Sequence, residues 1–146
     1  MKPRPDQAMV IAEDLLRKTG NAMLTGDFDL MRTCFLLPQA MGTIDGQVMI
    51  RTDEELRSTF ETVRAYYKKI GVTALERRCF SARFKSEDTV ESIHEAQLMS
   101  GDTPIRPPYR AVSVLRRTAS GWAIAYNQYA ITDSPEHNAA LVSSAD

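Results

Sequence analysis

Only two cysteines, Cys34 and Cys79, occur in the 146 residues, and they stand far apart. Such a pair is no disulfide framework. With only two histidines, His94 and His137, the thiols show no metal-ligand spacing. The reading is two buried free thiols, no metal and no cofactor. Long apolar runs are missing as well. Nothing approaches the ~20 residues that a membrane-spanning helix needs. The N-terminal MKPRPDQAMVIAEDLL interrupts its apolar residues with acids, so no secretory h-region forms. The expectation is a cytoplasmic protein with no targeting signal and no membrane partner. Charge of one sign is also absent. Eighteen Lys and Arg against 19 Asp and Glu leave a net charge of −1, without the basic surplus of a nucleic-acid-binding domain. No internal repeat or low-complexity segment is visible.

What is present is an ordinary composition, 43% hydrophobic and 25% charged, at a length that suits one domain with a real core. The most informative stretch is Tyr109–Ile131. Tyr109–Arg117 is rich in Val, Leu and Tyr, Ala119-Ser120-Gly121 suits a reversal, and Trp122–Ile131 alternates. Strict alternation puts Trp122, Ile124, Tyr126 and Gln128 on one face and Ala123, Ala125, Asn127 and Tyr129 on the other. The first set is bulky and predicts the core side. The second is small and mixed, and predicts a solvent or subunit face.

Upstream, Met1–Pro5 reads as a loose arm and Asp6 as a helix cap. Ala8, Ile11, Ala12, Leu15, Leu16, Thr19, Ala22 and Met23 follow at helical spacing. Gly26 suits a helix stop, and Asp27 caps a short helix to Cys34. Phe35-Leu36-Leu37 is an apolar run stopped by Pro38. Asp45-Gly46 predicts a hairpin pairing residues 42–44 with 47–49. Thr52 or Asp53 caps a third helix with the stripe Leu56, Phe60, Val63, Tyr67 and Ile70, ended by Gly71. Strands follow over Thr73–Phe84 and Thr89–Met99. The last residues, 133–146, are small and polar and read as a flexible tail.

The stretch AMLTGDFDLMRTCFLLP, the Gly46 hairpin, the helix closed by Gly71 and the stretch VLRRTASGWAIAYNQ together resemble the nuclear-transport-factor-2-like superfamily. That group includes SnoaL-like cyclases and ketosteroid isomerases, and the resemblance covers about residues 6–132. It implies an α+β fold: three N-terminal helices against a curved, mainly antiparallel sheet, cone-shaped around an apolar pocket. It also implies a homodimer through the outer sheet face. Two catalytic patterns of the group are unmatched. The isomerases' helix tyrosine and strand aspartate fall at Thr19 and Thr43, and the scytalone-dehydratase-like pattern of two pocket histidines is unmet because the only other histidine, His137, lies in the tail.

Chemistry in such a pocket needs a titratable group in apolar surroundings. His94 is the candidate catalytic residue, because Val90, Ser92, His94, Ala96 and Leu98 share the more apolar strand face. The alternative is a hydrogen-bonded, part-buried histidine without chemistry. Tyr67 and Tyr126 could polarise a ligand carbonyl or simply pack. The expected ligand-binding set is Trp122, Tyr126, Tyr67 and His94. Three functions stay open: a dimeric pocket protein for a small apolar or aromatic molecule, a cofactor-independent isomerase, cyclase or dehydratase, and an interaction module using the outer sheet face.

Overall fold

In the computed structural model, which describes residues 4–143, short polar signals punctuate the N-terminal half. Helix α1 spans Pro5–Thr25. It starts with the Gln7 side chain accepting the Arg4 N–H at 3.0 Å, so Asp6 lies within the first turn and is not its cap. The expected loose arm falls partly on residues 1–3, outside the described range; Pro5 is helical. Gly26 closes α1 at φ 79°, its N–H donating to the Ala22 carbonyl at 2.9 Å. Asp27 then caps α2 (Phe28–Thr33), accepting the Leu30 N–H at 3.0 Å.

Strand β1 (Phe35–Thr43) and β2 (Gly46–Ile50) form the small hairpin. The turn residues are Ile44 and Asp45, with Thr43 opposite Gly46, so the register sits one residue earlier than the Asp45-Gly46 signal suggests. β1 also runs through Pro38, where the ladder to its neighbour is irregular between Phe35 and Ala40. A residue without an N–H fits such a gap. Helix α3 (Asp53–Ile70) is capped by Thr52, whose hydroxyl accepts the Glu55 N–H at 3.1 Å, and it ends at Gly71. It buries Leu56, Thr59, Phe60, Val63, Tyr66 and Tyr67.

Strands β3 (Ala74–Ser86), β4 (Thr89–Ser100), β5 (Thr103–Pro104), β6 (Tyr109–Thr118) and β7 (Gly121–Ala130) complete the chain up to a last helix, α4 (Pro135–Leu141). The strands make one curved, open sheet of order β2-β1-β7-β6-β4-β3, with β5 attached to β4. The pairing of β1 with β7 is parallel, and the other pairings are antiparallel. Among the described residues no helix is long and apolar enough to cross a membrane.

Two features correct the sequence reading. The first is α4, which occupies the segment expected to be a flexible tail. Ser134 caps it, Pro135 stands in its first turn, and it buries His137, Asn138, Ala140 and Leu141 against the rest of the fold. The Asn138 amide donates to the Ile131 carbonyl at 3.0 Å and to Asp45 at 2.9 Å. The fold therefore has helices at both ends. The second is a bulge in β7. Leu115 pairs with Ile124 and Val114 with Tyr126, so Ala125 has no partner. Alternation slips by one residue there. Trp122 and Ile124 share the helix-covered face with Asn127 and Tyr129, while Tyr126 and Gln128 turn to the outer face. The expected outer set of Ala123, Ala125, Asn127 and Tyr129 is broken for the same reason.

Candidate functional site

The inner sheet face is built from rows of paired residues. Arg77, Ala96 and Tyr109 lie side by side across β3, β4 and β6. Cys79, His94, Ala111 and Tyr129 form the next row, and Ser92, Ser113 and Asn127 the one after. Helices α1 and α3 cross this face. Between sheet and helices lies a cavity of about 90 Å³ that is partly open to the surface. Its wall is mainly apolar, with Met31, Phe35, Leu56, Phe60, Val63 and Ile124 among its members, and Leu141 of α4 reaches it. Polar groups enter at Thr19, Thr59, Tyr67, Arg77, His94, Tyr109, Ser113, Asn127 and Tyr129.

His94 is 4% exposed and lines the cavity. Among the described residues its ring makes no hydrogen bond. Burial, helped by the Arg77 charge, lowers its pKa to about 3, so the ring is neutral near pH 7. Tyr67 also lines the cavity, with its hydroxyl 2.8 Å from Nε2 of His137. Burial, with Tyr109 beside it, holds the Tyr67 phenol well above its ordinary value. Burial also raises Tyr109, and pushes Tyr129 up to about 12. All three phenols stay protonated and able to donate.

The other two expected ligand residues do not reach the cavity. Trp122 is on the inner side but packs edge-on against Phe84, with ring centroids 6.1 Å apart, beyond the cavity's end. Tyr126 sits on the outer face, where its hydroxyl donates to Gln128 Oε1 at 3.0 Å. In their place stand Asn127, which accepts the Ser113 hydroxyl at 2.7 Å, and Tyr129. The β7 bulge exchanged these positions, and no local sequence signal marks it.

Arg77 is the residue that sequence reasoning missed most. It is half-buried, and its guanidinium reaches α1, where Nη1 donates to Thr19 Oγ1 at 3.0 Å and to the Leu16 carbonyl at 3.3 Å. The alternation Leu75, Arg77, Cys79 was the available signal, since it places an arginine on an inner face. No acidic residue lines the cavity among the described residues. Among them, too, no three His, Cys, Asp or Glu side chains converge as a metal site.

The fold and cavity define an α+β protein whose open sheet and helices form a small, largely apolar chamber. The chain belongs to the SnoaL-like domain family, whose family model matches residues 12–134. Among curated proteins none matches the sequence. Solved structures share the fold. A Nostoc punctiforme protein of unknown function with a cystatin-like fold is 14% identical, covering 92% of this chain and 97% of its own, at a TM-score of 0.69. An NTF-2 like protein of unknown function from Shewanella oneidensis is 13% identical, covering 82% and 96%, at 0.65. An NTF2-like protein with a cystatin-like fold from Novosphingobium aromaticivorans is 14% identical, covering 93% and 89%, at 0.65.

Proposed function

We propose that this protein binds a small, largely apolar molecule in the cavity between its sheet and helices. One observation carries the reading: an apolar chamber into which a few polar side chains converge, the usual make-up of a small-molecule site. Its size limits the occupant. About 90 Å³ is below the ~150 Å³ chamber that admits benzene. Steroid-sized molecules would need the helices to move. The test is a methyl NMR titration with a small neutral probe, butanol. Shifts should concentrate on Met31, Leu56 and Val63 and vanish in Val63→Phe, which fills the space. Absence of shifts, or identical shifts in the filled variant, would overturn the reading.

The same proposal includes a homodimer through the outer sheet face. Phe80 is 39% exposed and Met49 37% exposed, and Tyr126 now joins that face. The Phe80 ring lies between the guanidinium groups of Arg78 and Arg110, at 4.7 and 4.5 Å. Sedimentation of the protein and of Phe80→Glu would decide it: a monomer in both removes the dimer from the proposal.

A cofactor-independent isomerase, cyclase or dehydratase using His94 with a pocket tyrosine is the second reading. His94 and three protonated phenols in one chamber favour it. With a pKa of about 3, however, His94 is a weak base near neutrality, and its role there is that of a neutral hydrogen-bonding partner.

A further inference from the structure

Arg77 is the one cation on the wall of the cavity among the described residues, and that wall holds no carboxylate. A guanidinium has five N–H donors in a planar fork. Here only Nη1 is engaged, by Thr19 and by the Leu16 carbonyl of α1. Among the described residues the Nε and Nη2 donors, which form one edge of the fork, have no partner. That edge matches a carboxylate in two parallel hydrogen bonds.

The acids nearest to Arg77 do not fill this role. Glu13 and Asp14 line a groove on the outer side of α1 that Arg77 also reaches. Asp14 is already bonded to Arg17 and to Lys18. Among the described residues neither acid forms an ion pair with Arg77. A half-buried charge without an ionic partner is costly beside an apolar wall. The fold nevertheless holds Arg77 in place with two bonds from α1. Gly20, the small residue where the arginine meets the helix, would place a Cβ 3.5 Å from Nη1.

The remaining neighbours suit the same partner. His94 lies diagonally across the β3–β4 ladder from Arg77, since Arg77 pairs with Ala96 and Cys79 with His94. Tyr109 pairs with Ala96 on the other side. These groups offer a neutral imidazole and a phenol O–H, with no negative charge to repel an anion.

Building on the pocket reading above, we infer that the cavity's occupant is a small apolar monocarboxylic acid, held as its carboxylate by the Nε–Nη2 edge of Arg77. Its apolar part lies among Met31, Leu56, Phe60 and Val63. Judged against the benzene-sized chamber, about 90 Å³ houses roughly four non-hydrogen atoms, the carbon chain of a short acid with its carboxylate oxygens at the Arg77 edge.

The test uses butyrate with two uncharged counterparts of like size, butyramide and butanol, titrated at pH 7 by NMR. Wild type and Arg77→Gln are compared. Butyrate should bind at least about tenfold more tightly than butyramide, and Arg77→Gln should weaken butyrate by roughly 10- to 100-fold while sparing butanol. Arg77→Lys, which keeps the charge and loses the fork, should fall between. A second readout, also at pH 7, is the Arg77 Nε–H resonance, which should shift on butyrate binding and stay put with butanol. Equal binding of the three probes, or butyrate binding untouched by Arg77→Gln, overturns the carboxylate inference and leaves the pocket standing. Exclusion of all three overturns both. If Arg77→Gln does not fold, the wild-type comparison of the three probes and the Arg77 Nε–H resonance decide the question alone.

Discussion

The hydroxyl of Tyr67 stands 2.8 Å from Nε2 of His137, joining the cavity wall on α3 to the C-terminal helix. Both groups are buried, and the Tyr66 ring stacks on the same imidazole at 5.2 Å. Tyr67→Phe leaves the imidazole nitrogen without its partner. The expected cost is about 1–3 kcal/mol, read as a lower denaturant midpoint with an unchanged slope. In a His137→Leu background the same substitution should cost clearly less, because the bond is already gone. Equal costs in both backgrounds would mean that the pair contributes nothing.

Two buried histidines make stability depend on pH. Burial lowers His94 to about 3 and His137 to about 4, against an unfolded value near 6.5. The unfolded chain therefore takes up protons first as pH falls. Stability is fully present above about pH 6.5 and drains away below it, down to about 4 for His137 and about 3 for His94. Each ring adds a slope of up to about 1.4 kcal/mol per pH unit within its window. Unfolding measured between pH 7 and 5 lies above most carboxylate titration. His94→Gln and His137→Gln should each remove roughly half of that slope. A wild-type protein equally stable at pH 7 and pH 5 would contradict this.

Gly26 and Gly71 end their helices in the same conformation, at φ 79° and 82°, yet alanine should not cost the same at each. A Cβ at Gly26 would lie 2.9 Å from the Arg64 guanidinium, whereas at Gly71 the nearest atom is Ser100 Oγ at 3.8 Å. Arg64 is not free to withdraw without loss, because its Nε donates to the Met23 carbonyl at 2.9 Å. Gly71→Ala should cost about 1 kcal/mol from backbone strain alone. Gly26→Ala should cost more, and an Arg64→Ala background should narrow the gap. Thermal unfolding of the four variants measures this directly.

Thr59 sits on the cavity wall, 4% exposed, and its hydroxyl has no partner among the described residues. Thr59→Val keeps the shape and removes a buried polar group. The empty protein should gain up to about 1 kcal/mol, seen as a higher Tm in calorimetry. If Thr59→Val instead lowers the Tm, the hydroxyl is satisfied in solution.

Where the signal was local, the sequence carried the fold. Gly26 and Asp27 had to end one helix and begin the next, and Thr52 and Gly71 bracket α3 by the same backbone logic. The strand pattern from Thr89 placed His94 inward, and His94 does line the cavity. Other features depended on partners distant in sequence. The parallel pairing of β1 with β7 and the unpaired Ala125 are settled by neighbouring strands. They moved Tyr126 out of the site and Tyr129 into it. Arg77 gained its meaning from Thr19 and Leu16 on another element. The last helix was legible in Ser134-Pro135-Glu136, a capping residue before a proline, but the polar composition after Thr132 masked it.

The unpaired Ala125 has one more implication. On β7, which residues line the chamber and which face outward is fixed by a count, since every position after the bulge is displaced by one. Conservative exchanges along Tyr126–Ala130 leave that count intact. Loss of the codon for Ala125 would only remove the extra residue and keep Asn127 and Tyr129 inward, whereas loss of a codon from Tyr126 onward would turn every later side chain of the strand over. The strand should therefore tolerate drift in residue identity, and removal of Ala125 itself, far better than a change of length beyond it, and relatives shortened there by one residue should have re-invented the chamber wall opposite α3.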